Sequence, residues 1–255
     1  MKKRYSMLQA LYLSFFSRDL YRDVRENWKG MGFLYLLLLL AVTWVPIIYK
    51  MQGELSEVIR QEVPKYLEQM PKIMIAGGRV SIDRPVPYTI LEPDGRTPFM
   101  VIDTSGRLVS LGQTDATVLL TGDQIMFRRP RGDGKIYDLS GTYASIDRDL
   151  VDRWVRTFGK YFGVVAYPIV LAGDFVYRFL QVMICAAIGI IFVNKLGAPL
   201  DSEAMFRLAS VALTPAVILP TLLLLAGIHV PESQIVFFAI AVGYLYFAVK
   251  ANLKD

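Results

Sequence analysis

The run Phe33-Leu34-Tyr35-Leu36-Leu37-Leu38-Leu39-Leu40-Ala41-Val42 carries no charge, and its reading decides how the rest of the chain is understood. With its flanks it makes an apolar segment over residues 32–49. A hydrocarbon core ~30 Å thick needs ~20 apolar residues rising ~1.5 Å each, so the segment reaches across a bilayer. Trp44 and Tyr49 suit the interfacial layer at its far end, and Pro46 lies where a helix tolerates it. Lys50-Met51-Gln52 follows, with no small-residue cleavage site, so a retained signal anchor is expected.

Outward from this run the composition is uneven. The 255 residues are 54% hydrophobic and 20% charged, but apolar residues crowd into 32–49 and 161–249 while charge concentrates in 1–29 and 50–160. Such a division excludes intrinsic disorder and speaks against one soluble globule. Three more apolar stretches, residues 170–193, 205–228 and 235–249, read as transmembrane helices two to four. Lys2, Lys3, Arg4, Arg18, Arg22, Arg25 and Lys29 precede the first. Lys195 and Arg207 lie between the second and third, and Lys250 and Lys254 follow the fourth. The connection from His229 to Gln234 has no Lys or Arg. This bias places both termini in the cytoplasm, and residues 50–160 do not overturn it because long domains cross largely regardless of charge.

Residues 1–31 form a cytoplasmic amphipathic segment in which Met7, Leu8, Leu11, Tyr12 and Phe15, then Tyr21, Val24 and Trp28, recur at helical spacing beside Arg18, Arg22 and Arg25. Such a stripe fits a helix in the headgroup layer or one packed on the protein's own loops. Residues 50–145 read as an extracytoplasmic helix (53–70, stopping at Pro71) followed by β structure. Strands are expected at 72–76, 79–83, 88–92, 98–103, 108–111, 117–121, 124–128 and 135–139. Gly77-Gly78, Asp94-Gly95, Ser105-Gly106, Gly122-Asp123 and Gly132-Asp133-Gly134 supply the turns between them. An amphipathic approach helix then spans 146–169, with Ser145 or Asp147 as its cap and Pro168 as a kink. The fold class expected is thus an α+β membrane protein: four transmembrane helices with a small antiparallel β domain between spans one and two.

The chain holds one cysteine, Cys185, and one histidine, His229, which removes disulfide frameworks, Cys-rich zinc sites and Cys–His nucleophile pairs. No catalytic residue, metal site or cofactor is expected, and no phosphate-cradling loop is present. The net charge of +5 comes from scattered residues, which suits contact with anionic lipid and not nucleic acid. Three candidate sites emerge. Asp174 and Arg178 lie one turn apart in the second span, as a self-neutralising pair or as a polar site for a headgroup, ion or gating partner. Thr214, Pro215 and Pro220 interrupt the third span, as a packing kink or as the broken helix of a transport site. Arg128, Arg129, Arg131 and Lys135 make a basic hairpin tip, solvated or touching headgroups or an acidic partner. Small residues four apart (Cys185 and Gly189, Ala212 and Ala216, Ala239 and Gly243, Gly159 and Gly163) permit close helix contact.

Ser14-Phe15-Phe16-Ser17-Arg18-Asp19-Leu20-Tyr21, Gly30-Met31-Gly32-Phe33-Leu34-Tyr35-Leu36, Val101-Ile102-Asp103-Thr104-Ser105-Gly106 and Leu213-Thr214-Pro215, taken in this order, carry a resemblance across nearly the whole chain. The chain resembles an uncharacterised bacterial family of multi-pass membrane proteins, a domain of unknown function that includes members described as maltodextrin-utilisation proteins. In layout alone its C-terminal part is similar to the Yip-type membrane proteins. The resemblance implies the bacterial cytoplasmic (inner) membrane and transfers no active site. The function expected is a non-catalytic membrane accessory whose outer β domain binds a membrane or envelope protein partner or senses an envelope ligand. The alternative is a transport or lipid-handling component acting through Asp174 and Arg178.

Single cysteines placed within residues 50–145 in a Cys185→Ala background should react in intact cells with a membrane-impermeant maleimide. Labelling that requires access from the cytosol would overturn the orientation.

Overall fold

The computed structural model describes residues 3–129, 134–228, 230–231 and 233–253. In chain order the elements are α1 (Met7–Leu13), α2 (Arg18–Asn27), α3 (Gly32–Gln61), α4 (Val63–Gln69), β1 (Ile73–Ala76), β2 (Arg79–Ile82), β3 (Tyr88–Leu91) and β4 (Pro98–Asp103). There follow β5 (Val118–Thr121), β6 (Gln124–Phe127), β7 (Lys135–Asp138), β8 (Ala144–Ile146), α5 (Arg148–Leu196), α6 (Ser202–Ala212), α7 (Thr214–Leu225) and α8 (Ser233–Lys250). Contacts divide the chain into a helical unit, residues 1–51 with 163–255, and a second unit, residues 52–162.

Among the described residues, three helical segments, Gly32–Gln69, Arg148–Leu196 and Ser202–Leu225, are long and apolar enough to cross a membrane, and Gln234–Lys250 is a shorter apolar helix. Several boundaries differ from the sequence reading. The expected approach helix and second span are one helix, α5, with Pro168 inside it. The third stretch is two helices meeting at Leu213, because Pro215 at the start of α7 has no N–H to extend α6. Pro64 divides the expected 53–70 helix in the same way, ending α3 and opening α4.

The N-terminal stripe is also two helices, and it packs against the chain. Ser6 and Gln9 form a reciprocal cap on α1, and the Ser17 hydroxyl accepts from the Leu20 amide to open α2. Leu20, Tyr21, Val24 and Trp28 are fully buried in the core of the helical unit, with the Tyr21 ring edge-on to Phe247 of α8. Buried Asp23 ties the extended residues before α1 to α2: it accepts from the amides of Arg4 and Tyr5, from Asn27, and from the Trp28 indole. Burial would raise the Asp23 carboxyl, but those four donors outweigh it and its pKa is lowered. Leu8, Tyr12 and Phe16 remain exposed.

Small residues set the spacing of the helical core. Ala209, Ala212, Ala216, Ala241 and Ala248 are buried, and a Cβ on Gly189 would overlap the Met205 side chain and touch Leu245. Ala239 and Gly243 stay exposed. The Tyr35 and Thr214 hydroxyls share a buried hydrogen bond of 2.6 Å, which pins the α6–α7 junction to α3.

In the second unit, β2-β1-β8 is antiparallel, while β3-β4-β5-β6-β7 includes a parallel pair, β4 with β5, so the expected wholly antiparallel domain is corrected. The strand expected at 108–111 is absent because side chains capture its backbone donors. Leu108 N–H goes to Asp103, and the Val109 and Ser110 N–H groups go to Gln113 Oε1. Residues 104–117 therefore run back beside the sheet, and β5 starts in the same direction as β4. The central pair is buried on both faces: Ile102 and Leu120 pack with Ile73, Ile75 and Val80, whereas Val101 and Leu119 pack with Ala116, Met126, Leu108 and Leu111. Ser145, one of two candidate caps for the next helix, lies instead in β8, and Asp147 caps α5 through the Leu150 amide.

Asp103, at the end of β4, is fully buried. Burial favours its neutral form, yet hydrogen bonds from the Ser105 hydroxyl and the Leu108, Ser105 and Arg107 amides outweigh that, and the pKa is lowered. A depressed folded pKa means the ionised carboxylate stabilises the fold above the unfolded pKa, an advantage lost as pH falls through the folded value. Asp103→Ala should destabilise this unit by about 2 kcal/mol at neutral pH, from several orphaned buried donors. Hydrogen exchange of peptides spanning 101–109, compared at equal pH, should show the difference between variant and parent shrinking in acid.

Candidate functional site

Two arrangements are candidates. The first lies in the helical unit and begins with one helical turn of α5. Asp174 and Arg178 face each other there, Arg178 Nε lying 3.4 Å from Asp174 Oδ1 with both side chains 19% exposed. The contact is an ion pair without hydrogen-bond alignment, since Arg178 Nε has no hydrogen-bond partner among the described residues. Other groups complete the arrangement: the Trp44 indole N–H of α3 donates to Asp174 Oδ2 at 2.9 Å, and Arg178 Nη1 donates to Gln181 Oε1 at 2.8 Å. A cavity of about 160 Å³ opens beside them, bounded by Thr43, Trp44, Pro220 and Thr221 among others.

The structure thus brings Pro220 to the Asp174–Arg178 pair and leaves Thr214 and Pro215 elsewhere, buried at the junction that Tyr35 holds. Trp44, which sequence alone assigns to an interfacial belt, is the hydrogen-bond donor to Asp174. No local signal marks that pairing, because the partners lie far apart in the chain.

The second arrangement is a polar cleft of about 570 Å³ in unit 52–162, at the C-terminal ends of the parallel strands β4 and β5. Its wall combines Gly77-Gly78, Arg79, residues 104–106, residues 121–124 and Ser140. Gly78 has φ +85°, and a Cβ there would collide with Ser140 Cα and the Leu139 carbonyl, so glycine alone fits this wall. Arg79 and Asp123 are the charged side chains of the lining; hydroxyl, amide and backbone groups join them, with Leu108, Val109 and Met126 as its apolar part. Such a surface can hydrogen-bond a peptide or a polar small molecule. Asp103, at the end of β4 beside the cleft, is consumed by its own loop.

The basic tip reads differently once placed. Arg128 folds back along the surface, donating from Nε to the Ala116 carbonyl and from Nη2 to the Leu111 and Thr114 carbonyls, so it clamps the 104–117 connection. Arg129 is exposed, the Lys135 ammonium sits 4.6 Å from the Tyr137 ring centre, and Arg131 and His229 lie outside the described residues. Among the described residues no group of three His, Cys, Asp or Glu could hold a metal.

Residues 8–249 match the family described as "Protein of unknown function (DUF1189)". The chain belongs to that family. Comparison with curated proteins and with solved structures gives no match. The DUF1189 match runs through both units, so the Asp174–Arg178 pair and the β cleft both fall within it.

The ion pair is testable by a double-mutant cycle. Arg178→Gln leaves Asp174 without its cation, so it should destabilise the protein in mild detergent more than Asp174→Asn/Arg178→Gln does. A coupling of about 1–2 kcal/mol is expected from thermal melts.

Proposed function

We propose that this protein is a non-catalytic integral membrane accessory that crosses the bacterial cytoplasmic membrane four times and holds a partner protein or envelope ligand in the cleft of its outer β domain. The cleft carries this reading: a polar concavity of about 570 Å³ built at strand ends and lined with hydrogen-bonding groups. The membrane part is supported by the outer surface of α5, where Val164, Val165, Ile169, Val176, Leu180 and Ile184 are all exposed. Water would penalise such a face, whereas lipid tails accept it. The basic flanks put both termini inside, and the short α8 would serve as the fourth span. The multi-pass layout is also what the resemblance to the uncharacterised bacterial family implies.

A second reading, a transport or lipid-handling component, draws on the cavity beside Asp174 and Arg178. At about 160 Å³ that space takes a few waters or an ion and is too small for a lipid headgroup with its glycerol. The volume favours a packing role for the pair.

A photo-crosslinking amino acid at Val109, an exposed residue on the cleft wall, should give a specific adduct in living cells. The same probe at Arg96 in the β3–β4 turn should not, and Ser105→Trp should fill the cleft and remove the Val109 adduct. Equal labelling at both positions, or none at Val109, would sink the reading.

A further inference from the structure

The helical unit carries a second polar concavity that neither reading above uses. A cleft of about 490 Å³ lies between the end of α2 and the start of α6, lined by Arg25, Lys29, the turn 198–200, Asp201, Ala204 and Arg207. Arg207 is 4% exposed, yet its guanidinium is incompletely used. One terminal nitrogen pairs with the Glu203 carboxylate and the other donates to the Arg25 carbonyl at 3.0 Å, while Nε has no partner among the described residues. Arg25 and Lys29 form no ion pair among the described residues.

The acids nearby are already engaged. Asp201 caps α6 through the Ala204 amide at 2.7 Å, and Glu203 is held by Arg207. The Ser202 and Glu203 amides of the first turn of this eleven-residue helix have no acceptor within it. Three cationic side chains therefore line a cleft beside the N-terminus of α6, against the single carboxylate of Asp201, which is engaged as the cap. A tetrahedral anion with several acceptor oxygens matches that donor set better than a planar or singly accepting group.

We propose that this cleft binds a net-negative phosphate group, carried by a lipid headgroup or by free phosphate. The phosphate oxygens accept from the Arg25 and Lys29 side chains, and the buried charge of Arg207 adds to the positive field of the cleft. With both termini inside, the cleft opens where the anionic leaflet supplies such groups.

The test uses the full-length protein in neutral detergent, with thermal unfolding read against added dioleoylphosphatidylglycerol, dioleoylphosphatidylcholine or inorganic phosphate. Phosphatidylglycerol should raise the melting temperature saturably and phosphatidylcholine should not. Stabilisation by inorganic phosphate as well would identify the phosphate group itself as sufficient, and stabilisation by the lipid alone would assign the headgroup as the source; both support the site. Arg25→Gln/Lys29→Gln, which keeps the Arg25 carbonyl that Arg207 uses, should melt near the parent without ligand and raise the half-saturating concentration about tenfold. Lys65→Gln/Arg96→Gln, which removes equal charge from the other unit, should leave it unchanged. The proposal is overturned if neither phosphate source stabilises the protein, if phosphatidylcholine serves equally, or if the two double variants weaken binding alike. None of these outcomes depends on what the β domain binds.

Discussion

Backbone donors and acceptors that leave a helix or a ladder must be satisfied by something, and in this chain charged and amide side chains do that work. Asp23 gathers the Arg4 and Tyr5 amides, Asp103 those of Ser105 and Leu108, Gln113 those of Val109 and Ser110, and Arg128 three carbonyls of the 104–117 connection. Each capture fixes a segment that has no regular structure of its own. The parallel pairing of β4 and β5 follows from two of them. Without Asp103 and Gln113 to hold the chain out of the sheet, residues 108–111 would be free to pair as an ordinary hairpin strand.

The helical unit obeys the same demand by another route. Its helices satisfy their own backbones, so what remains to be settled is how closely they approach. Alanines and Gly189 allow tight contact, and polar groups appear where the regular pattern is broken: the Tyr35 hydroxyl at the α6–α7 junction, and Trp44 on Asp174. Both tie α3 to another helix. A proline break costs an α-helix its hydrogen bonds locally, and here the break at Leu213 lies beside a buried side-chain hydrogen bond that fixes its position.

What was legible in the sequence were features that repeat. The apolar run at 33–42 marks a long helix, and alternation with glycine turns gives seven of the eight strands to within a residue or two. The failures share a cause: the deciding partner lies elsewhere in the chain. Leu108–Leu111 alternates well enough for a strand, but its donors are taken by side chains that the alternation does not register. Ala144–Ile146 is too short to show a period and becomes a strand through β1 alone. Pro64 and Ser17 were available as local signals, a helix breaker and a cap, and they divide two elements that hydrophobic spacing joins. Of the candidate site, the Asp174–Arg178 pair was visible as a turn of helix, while Trp44, Gln181 and the walls of the β cleft required the fold.

Basic residues show why charge counting cannot replace placement. Arg128 and Arg207 look equivalent in a tally of surface cations, and both donate to main-chain carbonyls, yet their consequences differ. Arg128 spends Nε and Nη2 on three carbonyls of one connection, and nothing in its geometry invites a ligand. Arg207 is anchored at both terminal nitrogens and buried, and it lines a cleft with Arg25 and Lys29, which form no ion pair among the described residues. Like charges gathered in one cleft repel one another, and that repulsion is what the proposed phosphate would offset.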